Sequence, residues 1–274
     1  MFSSRRRVVL VLPLLALTGA IGLTSCTSGS SHAGKTRSAG TASAAARPAA
    51  GGRSVAPATL AATLQQGLSG ATSARLVVSS TLGSQTLRGS GDVGLSNGTI
   101  SRADLQQQLP SGLGSLRIVV VGDRTYAKLP GALNTSGKPW VLLDPDSKSL
   151  VVSQLASTVA PVLAVAAPAS LVTFARSASS VTDLGRATTS GVATTHYRVT
   201  VDTSTLPSSV PSSITGGGKS PVPVDMYLDA SGRPRRVSGT FSISGQSVTP
   251  TIVLSDYNAP VTVTAPPSDE VSTR

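Results

Sequence analysis

The spacing of apolar residues along the chain changes several times. Between Ala58 and Leu68 leucines recur every four residues, which predicts an amphipathic helix. From Arg75 onward apolar residues occupy every second position over several short stretches, which is typical of strands buried on one face. The stretches that predict strands are 75–82, 86–95, 116–120, 125–129, 140–143, 194–201, 224–229, 236–244 and 248–254.

The middle of the chain has a different pattern. Leu150–Ala166 and Ala169–Ala178 are apolar, rich in alanine and interrupted by Pro161 and Pro168, so we expect two or three short helices. Strands in which apolar and polar residues alternate have one solvent-exposed face and one buried face, and these helices could pack against the buried face. The predicted fold class is therefore α+β: a long antiparallel sheet curved over a few helices.

The N-terminus has the features of an export signal. Arg5–Arg7 are basic, and the apolar stretch Val8–Leu23 is shorter than the roughly 20 residues that a membrane span needs. Leu23, Thr24 and Ser25 form a lipobox before Cys26, the only cysteine in the chain. We therefore expect residues 1–25 to be a lipoprotein signal peptide and Cys26 to carry the lipid. Both the general and the twin-arginine export routes fit the basic segment.

Residues 26–57 combine this cysteine with a stretch of mainly Ser, Ala, Gly, Thr, Arg and Pro. Such a composition predicts a disordered tether with a reach of about 30 Å. Of the net charge of +11, three charges lie in the signal peptide and four in the tether. Only four remain on the folded part, and no arginine run is interleaved with aromatics, so we expect no nucleic-acid partner. The basic tether would favour anionic lipid headgroups.

After the tether we expect one domain over residues 58–267 and a disordered tail over residues 268–274. This part has a single histidine, His196, on the strand face opposite Tyr197, and no Gly-x-Ser-x-Gly elbow presents a serine. The segment Gly216–Ser220 lacks the first glycine and the following helix of a phosphate-binding loop. We predict no catalytic residue, no metal site and no cofactor, with a hydrolase that uses His196 as a remaining alternative.

Large aliphatic surfaces are the other candidate for function. The inward strand faces and the middle helices could close as a solid core or leave an apolar cavity, and composition does not decide between them. The candidate lining residues on the sheet are Leu76, Val78, Leu82, Ile118, Val120, Val199, Val201, Met226, Leu228 and Phe241. Those on the helices are Leu155, Val159, Leu163, Leu171 and Phe174.

The order of several motifs resembles a known family. The lipobox and tether precede a strand with the sequence Ala-Arg-Leu-Val-Val, and later come the segments Gly191–Val199, Leu228–Val237 and Leu254–Val263. Together they resemble the LppX/LprAFG family of actinobacterial cell-envelope lipoproteins. A longer tether and a Ser- and Gly-rich segment at Ser208–Ser220 depart from the family pattern.

The resemblance implies a LolA/LolB-like half-barrel that holds an acylated lipid or glycolipid and performs no covalent chemistry. We also expect a monomer that is attached to the outer face of the cell membrane through the lipid on Cys26, with an envelope lipid transporter as a further partner. The alternative is a structural or interaction lipoprotein with a filled core that binds a protein or a cell-wall partner.

Overall fold

The computed structural model describes residues 52–82, 85–109, 114–131, 133–134, 137–202, 204, 221–243 and 246–273. The predicted signal peptide, the lipobox, Cys26 and the segment Gly216–Ser220 lie outside these residues.

Three helices occupy the segments in which the sequence predicts helices. Helix α1 spans Pro57–Ser69, α2 spans Leu150–Ala166 and α3 spans Pro168–Arg176. A proline begins α1 and α3, where its missing N–H removes no helical hydrogen bond. Helix α2 continues through Pro161 and ends at Ala166. The next residue, Ala167, has an extended backbone and separates α2 from α3.

Fourteen strands in the described part of the chain form one sheet. In chain order they are β1 Arg53–Val55, β2 Ser73–Leu82, β3 Gln85–Ser96, β4 Thr99–Gln108, β5 Ser115–Val121, β6 Arg124–Lys128, β7 Trp140–Leu142, β8 Ala178–Thr189, β9 Val192–Val201, β10 Val222–Asp229, β11 Pro234–Gly239, β12 Phe241–Ile243, β13 Gln246–Ser255 and β14 Val271–Ser272. Their order across the sheet is β1-β8-β9-β10-β11-β13-β2-β3-β4-β5-β6-β7-β14, and β12 also pairs with β13. All pairs are antiparallel except β14 with β7, which confirms the predicted α+β half-barrel.

Two predicted boundaries are wrong. The predicted tether extended to residue 57, but β1 pairs with β8 from Arg53, and Val55 packs against the core. The tail was predicted to be disordered, but β14 pairs with β7 and its Val271 is buried beside Trp140. Both segments are too short to show a period in the sequence. Each covers an open edge strand, whose free backbone N–H and C=O groups need partners.

The helices divide the inner face of the sheet into two compartments. The first lies between strands β2–β7 and α2, where Leu116, Ile118 and Val159 are buried. The second lies under α1 and α3, and its buried residues include Leu64 of α1 and Met226 of β10. Each helix therefore covers one part of a sheet that is too long for a single helix to cover.

The turn between β10 and β11 contacts α1 directly and holds the helix against the ends of these two strands. Gly232 in this turn has a φ of +79°, and a Cβ on it would lie 2.5 Å from the carbonyl oxygen of Thr63 in α1. A Cβ on Gly67 of α1 would collide with the backbone of Gly232. Two glycines therefore allow the helix and the turn to touch through their backbones.

A buried carboxylate stabilises the same turn. Asp229 accepts hydrogen bonds from the Ser231 and Arg233 amides at 2.9 and 3.1 Å, and the Arg235 guanidinium donates to it at 2.9 Å. Burial alone would raise the pKa of Asp229, but these hydrogen bonds and the nearby positive charges leave it below its ordinary value. Arg233 and Arg235 also lie over the ring of Tyr257, whose hydroxyl donates to Pro234 O at 2.6 Å.

Candidate functional site

The first compartment contains an apolar cavity between the sheet and α2, with a volume of about 80 Å³. Its lining is mainly aliphatic. The aliphatic side chains that face it are Leu76, Val78, Leu87, Leu105, Leu116, Ile118, Val159, Leu163 and Ala166. A mainly apolar lining of this kind gives a water molecule few hydrogen-bond partners, and it therefore favours an apolar occupant.

The cavity exists because strand β3 places a glycine on its inner face. Gly89 pairs with Val78 of β2 on one side and with Gln107 of β4 on the other. A Cβ on Gly89 would lie 3.4 Å from the Gln106 carbonyl oxygen, an ordinary contact distance, so the backbone does not require glycine here. The missing side chain leaves open space opposite Val159 of α2.

Gly91 has a different role in the same strand. A Cβ on this residue would collide with the carbonyl oxygen of Asp104 in β4, so only glycine permits the observed approach of the two strands. Such close backbone approaches are typical of sharp bends in curved sheets. Gly91 therefore allows the sheet to curve, whereas Gly89 leaves space for the cavity.

Side chains close one end of the cavity, and polar groups lie at the other end. Towards the N-terminus of β2 the compartment is filled by residues such as Val93, Ala103 and Leu155, all of them buried. At the opposite end, Ser80 of β2 and Gln107 of β4 line the cavity near the C-terminal ends of these strands.

The structure brings together only part of the predicted lining. Five predicted residues face the cavity: Leu76, Val78, Ile118, Val159 and Leu163. Val120 and Leu155 are buried in the same compartment but do not line the cavity. Leu82 and Phe241 lie in β2 and β12, and their side chains are outside the described part of the structure.

Six predicted lining residues require a correction because they pack in the second compartment. They are Leu171, Phe174, Val199, Val201, Met226 and Leu228. In this compartment Leu60 and Leu64 of α1 pack among these residues and are 1% and 0% exposed. Alternation in the sequence identified their inward face correctly, but it does not show which helix covers each strand.

The sequence interpretation also missed lining residues. Leu105 belongs to β4, a strand not predicted because its inward positions include the small Ala103 and the polar Gln107, which weaken the apolar alternation. Gly89 was not considered because a glycine offers no side chain for binding. A glycine at an inward position of a strand, between Leu87 and Val93, is the signal that could have indicated a cavity.

His196, the one candidate base, is committed to a surface cluster. It lies on the outer face of β9, where its Nε2 is 2.9 Å from Asp225 Oδ1 and its ring stacks on Tyr227 at 4.2 Å. Arg198 donates to the same carboxylate oxygen at 3.1 Å. Its outward orientation agrees with the prediction, although the ring is 19% exposed rather than fully solvated. Within the described residues, no cluster of His, Cys, Asp and Glu could hold a metal ion.

A polar groove of about 690 Å³ lies on the outer face of strands β2–β6. Two ion pairs cross it: Arg75 contacts Asp92 at 3.3 Å, and Arg117 donates two hydrogen bonds to Asp104. The side chains of both pairs are between one third and one half exposed, so each pair contributes at most about 1 kcal/mol. No helix in the described ranges has the length and apolar character needed to cross a membrane.

Comparisons with known proteins find distant similarity to solved structures alone. No protein-family model matches the sequence, and no curated protein matches it significantly. Among solved structures, the lipoprotein LppX of Mycobacterium tuberculosis is 19% identical, with a TM-score of 0.49 over 75% of this chain and 98% of that chain. LprF of Mycobacterium bovis is 16% identical, with a TM-score of 0.48 over 79% of this chain and 99% of that chain.

A LolA superfamily protein of Nitrosomonas europaea also matches, at 10% identity and a TM-score of 0.29 over 78% of this chain and 96% of that chain. LppX and LprF are lipoproteins of the family that the sequence resembles.

Proposed function

We propose that this protein is an envelope lipoprotein that binds an acylated lipid or glycolipid in the cavity between the sheet and α2. The observation that carries the proposal is the cavity itself: a space lined mainly by aliphatic side chains, in a compartment of buried apolar residues. Protein interiors contain few spaces larger than a water molecule, so a cavity of this size is a candidate binding site. Each methylene group that moves from water into it would contribute about 0.8 kcal/mol.

The same proposal includes attachment of the domain to the membrane. A lipid on Cys26 and a tether beginning at Thr27 would hold the domain outside the cell membrane, within reach of lipid headgroups. The protein would act as a monomeric carrier and exchange its ligand with an envelope lipid transporter. We propose no covalent chemistry for it, because His196 lies on the outer face of the sheet and does not line the cavity.

Native mass spectrometry of residues 27–274 tests this function, because this segment retains every described residue. The protein is purified from an actinobacterial host without detergent, and bound species are identified after solvent extraction. We expect an acylated species at a fixed ratio to the protein. A single mass without ligand, unchanged after incubation with envelope lipids, would contradict the proposal.

The filled second compartment supports the alternative function. Its tightly packed residues, such as Met226 at 0% exposure, are what a protein that only displays its surface would have. The outer polar groove would then be the natural place for a protein or cell-wall partner. Absence of lipid in the native mass spectrum, together with saturable binding of a wall fraction, would favour this alternative.

A further inference from the structure

We infer that the cavity accepts one alkyl chain at a time and excludes lipids that must bury two or more chains together. The inference rests on the proposed function, which it narrows to ligands with a single alkyl chain. Pockets that enclose whole drug-sized ligands have volumes of about 300–1,000 Å³. The volume of about 80 Å³ found here is well below that range.

The cavity cannot extend towards the N-terminal end of β2. Val93 and Ala103, at 0% exposure, and Leu155, at 2%, fill the compartment there. The space that remains runs from Leu76 to Ser80 along β2, about 13 Å at the rise of a strand. That length suits part of one extended chain.

In the second compartment the described side chains already form a buried cluster, which makes it the less suitable place for another chain. Leu64, Val199 and Met226 are each 0% exposed and pack against one another beneath α1 and α3. A second acyl chain would have to unpack this core, which helps to hold the β8–β11 half of the sheet together. The two-compartment arrangement therefore limits the number of chains as well as their length.

Two residues on opposite walls set the width of the cavity. Gly89 forms the sheet wall and Leu163 forms the helix wall. A larger residue at position 89 would extend into the cavity, whereas a smaller residue at position 163 would widen it. Neither position is required by the backbone, since a Cβ fits at Gly89 and Leu163 lies inside a regular helix.

A matched pair of lipids tests the inference. Residues 27–274 are incubated with vesicles that contain equal amounts of palmitoyl-lysophosphatidylglycerol and dipalmitoylphosphatidylglycerol, which share headgroup and acyl chain. The protein is then separated and its bound lipid is counted by native mass spectrometry. We expect the one-chain lipid to be bound in preference by about tenfold or more, since a second chain would leave several methylenes in water.

The outcomes separate the two proposals. Equal binding of both lipids, or preference for the two-chain lipid, would overturn the inference and leave the proposed function intact. Binding of neither lipid, with no acylated species found after purification from the host, would refute the proposed function itself.

Two variants examine the walls directly, with one control. Gly89→Leu should reduce binding of the one-chain lipid by about tenfold or more, because the new side chain displaces methylenes from the cavity. Gly70→Leu, at a glycine that does not line the cavity and has no atom within 4 Å of an added Cβ, is the control and should bind as the unmodified protein does. Leu163→Ala should admit the two-chain lipid. Thermal unfolding confirms that each variant is folded, and unchanged selectivity in a folded Gly89→Leu or Leu163→Ala protein would contradict the inference.

Discussion

At the scale of single residues, glycines define both the stability and the cavity of this protein, through two different physical effects. Gly91 and Gly232 permit backbone approaches that any Cβ would prevent. Gly89 makes no such approach and instead leaves space on the inner face of β3. The consequence of replacing a glycine here depends on which of these effects applies.

Gly232→Ala should destabilise the protein by about 2–5 kcal/mol, because alanine is strained at a φ of +79° and its Cβ meets Thr63 O. The matched control is Gly122→Ala, which has a similar φ of +62° but no atom within 4 Å of the new Cβ. That variant should lose only about 1–2 kcal/mol. Urea unfolding measures both, and equal losses would show that the contact with α1 contributes nothing.

Asp229 should make stability depend on pH. Burial opposes its charge, but hydrogen bonds from Arg233 and Arg235 lower its pKa, so its stabilisation is present above the unfolded value of about 3.9. That contribution is lost as the pH falls through the lower pKa of the folded state. Asp229→Asn should therefore cost roughly 1–3 kcal/mol at neutral pH, and the difference from the unmodified protein should shrink in acid.

Urea unfolding over a pH series measures this dependence. Asp92→Asn is the matched control, because Asp92 pairs with Arg75 on the surface and both side chains are 49% exposed. We expect it to change stability by less than about 1 kcal/mol. A difference between Asp229→Asn and the unmodified protein that grows in acid would contradict the interpretation.

At the scale of elements, the sequence predicted those whose period is regular and failed where the inward positions are small or polar. Helix α1 and the hairpin of β5 and β6 were predicted because large aliphatic residues recur at the required spacing. Strand β4 was missed because its inward positions include Ala103 and Gln107. Strand β8 was also not predicted, because it has one large buried residue, Val181, and an irregular register near Gly185.

The short strand β14 should prevent self-association through the edge of the sheet. Removing residues 268–274 exposes the edge of β7, whose free backbone groups could pair with another molecule, and it uncovers Trp140. We expect concentration-dependent oligomers in light scattering and a loss of about 1–3 kcal/mol from the burial of Val271. Removing only Thr273 and Arg274 leaves β14 in place and should change neither property. A monomeric, equally stable product of the longer deletion would show that β14 does not protect the edge.

At the scale of the whole molecule, the division into two compartments is what periodicity alone could not predict. A period of two assigns Val78 and Val199 equally to the inner face, yet one lines a cavity and the other is in a filled core. The difference arises from the helices that cover each half of the sheet, because α1 inserts leucines where α2 leaves space. Stability and ligand binding should therefore reside in separate halves of one sheet.

Comparable truncations in the two compartments should separate these properties. Met226→Ala should cost about 2–5 kcal/mol, because Met226 is fully buried, and should leave the lipid content of the folded protein unchanged. Leu163→Ala should cost less, because Leu163 is only partly buried at the cavity wall, and should alter the lipid content. Since the compartments share no side-chain cluster, the stability losses should add within about 0.5 kcal/mol in the double variant. Strong non-additivity in urea unfolding, or lost lipid in folded Met226→Ala, would mean that the compartments act as one core.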